Sequence, residues 1–134
     1  MAKRVLVAEE VAREAIEALE GRGYEVDVKP DLAPDDLKAA IGPYDALIVR
    51  SATRVTSDLL DAAENLKIIG RAGVTVDNID LEAAAEHDVI VCNAPASNII
   101  SAAEHTMALM LAAARRIPQA NALVHDGKWQ RHRF

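Results

Sequence analysis

Short apolar runs alternate with segments of helical period along most of this chain, and that alternation constrains the fold more than any other feature. The runs are "RVLVA" (4–8), "EVDVKP" (25–30), "ALIVRS" (46–51), "KIIGRA" (67–72) and "VIVCNA" (89–94). The first is followed by "EVAREAIEALEGRG", which places Val11, Ala15, Ile16 and Leu19 at helical spacing and stops on Gly-x-Gly. "APDDLKAAI" predicts a short helix with Pro34 at a starting position, "TSDLLDAAENL" a third with Thr56 as N-cap, and "NIDLEAAAEHD" a fourth. "EVDVKP" alternates and ends at Pro30, so it reads as a strand nearer an edge. Strands apolar on both sides, each separated from the next by a helix, imply an α/β fold: a parallel five-stranded sheet with helices on both faces.

After Pro95 the pattern changes. "SAAEHTMALMLAAARRI" opens with Ser101 and has Glu104 three residues on, which predicts a capping box and then a long helix from Ser101 to Ile117. Leu109, Met110 and Leu111 are consecutive, so apolar side chains project around most of its circumference. A helix of that kind is buried on more than one side, which a single sheet face does not supply.

Charge and composition exclude several classes of function. The 134 residues suit one domain of ordinary size, with about half of them apolar. No run of about 18 apolar residues exists to span a bilayer, and the apolar run in "MAKRVLVAEE" is too short for a signal sequence, so the expected location is the cytoplasm, with no membrane partner. Cys92 is alone, which excludes a disulfide framework and metal-ligand spacing; it is expected to be a small buried core residue, and no metal is expected. Net charge is -6, with ten Lys/Arg against nineteen Asp/Glu in residues 1–100 and five against two thereafter. The basic tail "KWQRHRF" is short, has only Trp129 and Phe134 as aromatics, and is attached to an acidic body that repels phosphate backbones. No nucleic-acid partner is expected.

In an open parallel sheet, chemistry sits beyond the carboxyl ends of the strands. Those positions read "VAEE", "RSAT", "RAGVTVDN" and "NAPASN". In the last three, Arg50 offers a forked donor, Ser51 and Thr53 offer hydroxyls, Gly73 allows close backbone approach, and Asn98 precedes the long helix, whose free N–H groups favour anions. They describe a small anionic pocket. An alternative stays open: Arg50 or Arg71 pairs with Asp77 or Asp80, Asp77-Asn78 only makes a turn, and Asn98 merely initiates the helix.

The ordered set "VRSAT", "IIGRAGVTVDNIDLEAAAEHDVIVCNAP", "SNIISAAEHTMALMLAAARRIPQA" and "GKWQR" resembles the N-terminal region of the D-isomer-specific 2-hydroxyacid dehydrogenases, over the whole chain. The resemblance implies a flavodoxin-like substrate-binding domain over residues 1–98. Residues 99–134 then form the long helix and tail that lead into a nucleotide-binding domain. It implies that Arg50, Ser51, Gly73, Val74 and Asn98 contact the phosphate or carboxylate end of 3-phosphoglycerate or a similar small anion. It also implies NAD as the parent enzyme's cofactor and places the long helix near a subunit interface. Because one sheet face cannot cover Met107, Leu109, Met110 and Leu111 together, a homodimer through the helix from Ser101 to Ile117 is expected, with a hinge for any exchange near Pro95 to Asn98.

Two departures from the family pattern stand out. Thr75 occupies a place usually held by glycine, so the loop there either uses an ordinary φ or has been altered. The dinucleotide fingerprint G-x-G-x-x-G does not occur; neither Gly21-Arg22-Gly23 nor Gly70 to Gly73 has its spacing. His87, His105, His125 and His132 do not match the family's catalytic histidine. The expectation is a piece of a dehydrogenase with no catalytic residue and no cofactor site of its own, inactive alone. The competing readings are a stand-alone flavodoxin-like domain without ligand and, more remotely, a phosphoacceptor receiver. Glu9-Glu10 would mimic the receiver's acidic pair, but its third strand should end in aspartate, not Arg50. An FMN-binding flavodoxin fits poorly, because "AEEVAREA" supplies no hydroxyl-rich phosphate loop.

Overall fold

A computed structural model describes residues 2–134. They form two compact units that divide between Ser97 and Asn98. The first contains β1 (Arg4–Val7), α1 (Arg13–Glu20), β2 (Glu25–Val28), α2 (Pro34–Ile41), β3 (Ala46–Val49), α3 (Ser57–Asp61), β4 (Ile68–Arg71), α4 (Leu81–Glu86) and β5 (Ile90–Asn93). All neighbouring strands pair in parallel, in the order β2-β1-β3-β4-β5. This is the expected five-stranded sheet. The order reverses at β1, so the β1 and β3 ends flank the switch point at which open α/β sheets bind ligands.

The register sorts the side chains into two faces. Leu6, Leu47 and Ile69 are opposite one another across β1, β3 and β4, and all three are fully buried. They join Leu37 and Ile41 of α2, Leu59 and Leu60 of α3, and Ala83 and Ala84 of α4 in one core. Burying one such leucine contributes about 1.5–3 kcal/mol, so this face supplies most of the fold's driving force. Thr56 caps α3 as expected, accepting from the Leu59 N–H at 3.4 Å.

The opposite face carries Val5, Ala46, Ile68 and Ile90 in one row and Ile48, Gly70 and Cys92 in the next. α1 lies against the β2 side of the sheet, and Ile90 is 65% exposed. This corrects the expectation for Cys92. It is exposed, because β5 is an edge strand and its Cys92 side points to the sheet face that α2, α3 and α4 do not cover.

The second unit contains α5 (Ile99–Ala114), α6 (Ile117–His125) and a 3-10 turn at Arg131–Arg133. Two expectations are corrected here. The capping box is not used: the Asn98 carbonyl accepts from the Ala102 N–H at 2.9 Å, so the helix begins at Ile99 and Ser101 lies inside its first turn. Nor does one helix run from Ser101 to Ile117. Pro118 has no N–H to give the Ala114 carbonyl and its ring crowds that carbonyl, so α5 ends and Arg116 turns left-handed, at φ 49°, before α6 starts.

Candidate functional site

Parallel strands bring the ends of β1, β3, β4 and β5 to one edge of the sheet. At the end of β3, Arg50 leaves the core exposed, and among the described residues its guanidinium donates only to the Glu10 carbonyl, at 3.2 Å. No carboxylate forms an ion pair with it among the described residues.

The nearest acid does something else. Glu9, just past β1, accepts from the backbone N–H groups of Arg50 at 2.8 Å, Thr53 at 2.9 Å and Ala52 at 3.2 Å. Partial burial pushes the Glu9 carboxyl up, but these backbone donors and the Thr53 side chain outweigh it, and its pKa lies below the ordinary value. Across the loop, the Asn78 Nδ2 donates to the carbonyls of Arg50 at 2.8 Å and Thr53 at 2.7 Å. The Arg50–Thr53 backbone is therefore held from both sides by side chains, while the Arg50 head stays available.

The alternative partners are accounted for. Asp80 caps α4, accepting from the Ala83 N–H at 3.0 Å. Asp77 accepts from the Thr75 hydroxyl, which with its own backbone N–H and the Arg71 charge lowers its pKa. Thr75 does not adopt positive φ, so the loop accommodates a β-branched residue by an ordinary backbone conformation.

Gly73 and Val74 follow β4, next to the Arg50 loop. The Ala72 N–H donates to the Val49 carbonyl at 2.8 Å, and Asn93 at the end of β5 donates to the Val74 carbonyl at 2.5 Å. Gly73 also has an ordinary φ; its need is for space, since a Cβ there would lie 1.8 Å from the Arg71 Nη1. The Arg71 Nε is buried without a partner. Arg50, Ser51, Gly73 and Val74 thus share one edge of the first unit, with Ser51 exposed. Asn98 belongs to the second unit, where its side chain makes no capping bond to α5.

Sequence reasoning does not single out Glu9, Arg71, Asn78 or Asn93 as residues of the site. "VAEE" is a strand-end position like the other three, and that placement is the available signal. On the α2 and α3 side, Glu9, Ala52 and Thr53 also line a cleft of about 460 Å³.

A dinucleotide does not fit these residues. The β1–α1 turn reads Ala8-Glu9-Glu10-Val11-Ala12, with no glycine and two carboxylates where a pyrophosphate would rest. Among the described residues no three His, Cys, Asp or Glu side chains group to hold a metal, and no helix is long and apolar enough to cross a membrane.

The catalytic-domain model of the D-isomer specific 2-hydroxyacid dehydrogenases matches residues 5–126. The chain belongs to this family. Among 2-hydroxyacid dehydrogenases, it is 52% identical over 131 residues to the D-3-phosphoglycerate dehydrogenase of Archaeoglobus fulgidus and 53% identical over 131 to that of Methanocaldococcus jannaschii. Each match takes in 98% of this chain and 25% of the relative, so the chain spans about a quarter of their length. In solved structures, a Thermus thermophilus protein superposes with a TM-score of 0.87 at 36% identity, covering 95% of this chain and 42% of that one. The NAD+-bound 3-phosphoglycerate dehydrogenase of Entamoeba histolytica superposes at 0.76 with 30% identity, covering 86% and 40%. The receiver reading falls with the same geometry, since Glu9 of the acidic pair is committed to main-chain N–H groups.

Proposed function

We propose that this chain is the substrate-binding part of an NAD-dependent D-3-phosphoglycerate dehydrogenase of serine biosynthesis, acting in the cytoplasm. Arg50 takes the phosphate or carboxylate of 3-phosphoglycerate or a similar small anion, with Ser51 and the Gly73-Val74 backbone beside it. Asn98 is assigned to the same ligand on the strength of the sequence alone. The observation that carries the reading is Arg50: a forked cation at the switch point that, among the described residues, meets one carbonyl and no carboxylate, although Glu9 bonds the Arg50 backbone N–H. NAD and the groups that move the hydride belong to the whole enzyme in this reading, and no nucleic acid or membrane is involved. A second copy of the chain is the expected partner, through α5, because Met107, Leu109, Met110 and Leu111 are each more than half exposed.

Calorimetric titration with 3-phosphoglycerate tests the ligand. Saturable binding is expected, with inorganic phosphate competing and NAD showing no saturable binding. Arg50→Ala should weaken it by roughly 1.5–3 kcal/mol, the scale of a charge-assisted hydrogen bond. Equal binding by parent and variant would make Arg50 structural.

A further inference from the structure

We propose that Glu9 is a positioning residue for the anion site: its carboxylate holds the Arg50, Ala52 and Thr53 N–H groups so that the Arg50 guanidinium is presented to a ligand. The inference rests on the reading of Arg50 as the ligand's anchor and adds the device that aims it. Three N–H groups of one loop aimed at one carboxylate form a cradle for an anion, as clustered backbone N–H groups do for phosphate elsewhere. Here the cradle is filled from within by Glu9, at 2.8, 2.9 and 3.2 Å. With a carboxylate of the chain's own in the cradle, this loop meets the ligand through the Arg50 side chain and not through these three N–H groups.

Asn78 completes the arrangement by donating to the carbonyls at both ends of the same loop, Arg50 and Thr53. Its own backbone carbonyl accepts from the Val55 N–H at 2.9 Å, which ties the loop's exit to the segment before α4. The loop has donors fixed on one side and acceptors on the other, so its conformation is over-determined. The Arg50 guanidinium, bonded to the Glu10 carbonyl at 3.2 Å and to no carboxylate among the described residues, is the part these two side chains do not hold.

Simple electrostatics and positioning predict opposite signs. A negative charge beside an anion site repels the ligand, so if Glu9 acted only through its charge, Glu9→Gln would tighten binding. If it positions the loop, Glu9→Gln must weaken binding, because the amide group turns a donor towards the Ala52 N–H.

The test uses the full chain, with 3-phosphoglycerate and inorganic phosphate as probes. Glu9→Gln and Asn78→Ala should each weaken binding about tenfold. The double variant should lose less than the product of the two, since both act on one loop. Amide hydrogen exchange at Arg50, Ala52 and Thr53 should quicken at least tenfold in Glu9→Gln, with the core strands unchanged. Unchanged or tighter binding by Glu9→Gln, or multiplicative losses in the double variant, would overturn the proposal. If the parent chain binds neither probe, the site reading fails by itself. Exchange at those three amides still decides Glu9's hold on the loop, and unchanged protection in Glu9→Gln would overturn that too.

Discussion

Arg50 and Glu9 are opposite charges at neighbouring strand ends that do not pair with each other through their side chains. Three charge-assisted bonds from backbone N–H groups return more than one exposed ion pair, so the Glu9 carboxylate goes to the loop. Gly73 makes a related point about space. With an ordinary φ, Gly73→Ala should fold with a loss below about 1 kcal/mol, because only the flexible end of Arg71 must move. Binding of 3-phosphoglycerate should nevertheless fall, which paired urea denaturation and calorimetry would separate. His87 sets a pH dependence. Its Nδ1 lies 2.8 Å from the Ala83 carbonyl and its Nε2 3.1 Å from Asp61, and the carbonyl first, then Asp61 and Glu86, raise its pKa. Only the imidazolium donates both bonds. A raised folded value gives stability that is fully present below about 6.5 and is lost as pH rises through the folded value. His87→Gln should flatten that decline in denaturation curves taken between pH 6 and 8.

Three helices end in the same way, and the residue at the left-handed position differs. After α1, Gly23 takes φ 85°, with its N–H on Glu20 and the Tyr24 N–H on Leu19. After α6, Gly127 takes φ 72°, with its N–H on Val124 and the Lys128 N–H on Leu123. After α4 the same pair of bonds, Asp88 to Ala85 and Val89 to Ala84, is made with Asp88 at φ 54°. These are Schellman motifs, which favour glycine because a Cβ in that conformation is crowded. An aspartate also places negative charge at the negative end of a helix. Asp88→Gly should therefore stabilise the chain by up to about 1 kcal/mol, and Asp88→Val should destabilise it by about 1–2 kcal/mol. Urea midpoints would show both, and equal midpoints would mean the turn is not strained.

Every residue of the buried core cluster lies before position 90. Residues 1–97 alone should therefore keep one cooperative urea transition close to that of the full chain; a broad, non-cooperative curve would show that the second unit is needed for folding. The second unit has no buried residue in α5 or α6. Each large apolar side chain left in water forgoes about 1.5–3 kcal/mol, which favours covering α5 with a second copy in a closed two-fold pair. Light scattering should give a dimer for the full chain and a monomer for residues 1–97. Met110→Glu should weaken the dimer, and unchanged mass in that variant would exclude α5 as the interface.

Periodicity determined the alternation of strands and helices, because apolar spacing and turn residues act within a few positions of one another. Thr56 and Pro34 marked helix starts for the same local reason. Arg50's place at the end of a buried strand was also legible, since the apolar run stops there on a guanidinium. The tertiary structure decided the rest. Cys92 is apolar in its own neighbourhood, and only β5's place at the sheet edge exposes it. Ser101 and Glu104 have the spacing of a cap, yet the turn begins earlier because the Asn98 carbonyl is already bonded. Glu9 bonds residues more than 40 positions away, and that pairing depends on β1 and β3 lying side by side. Sequence alone carries no signal of which loop a strand-end carboxylate will meet, because sheet order brings the two together.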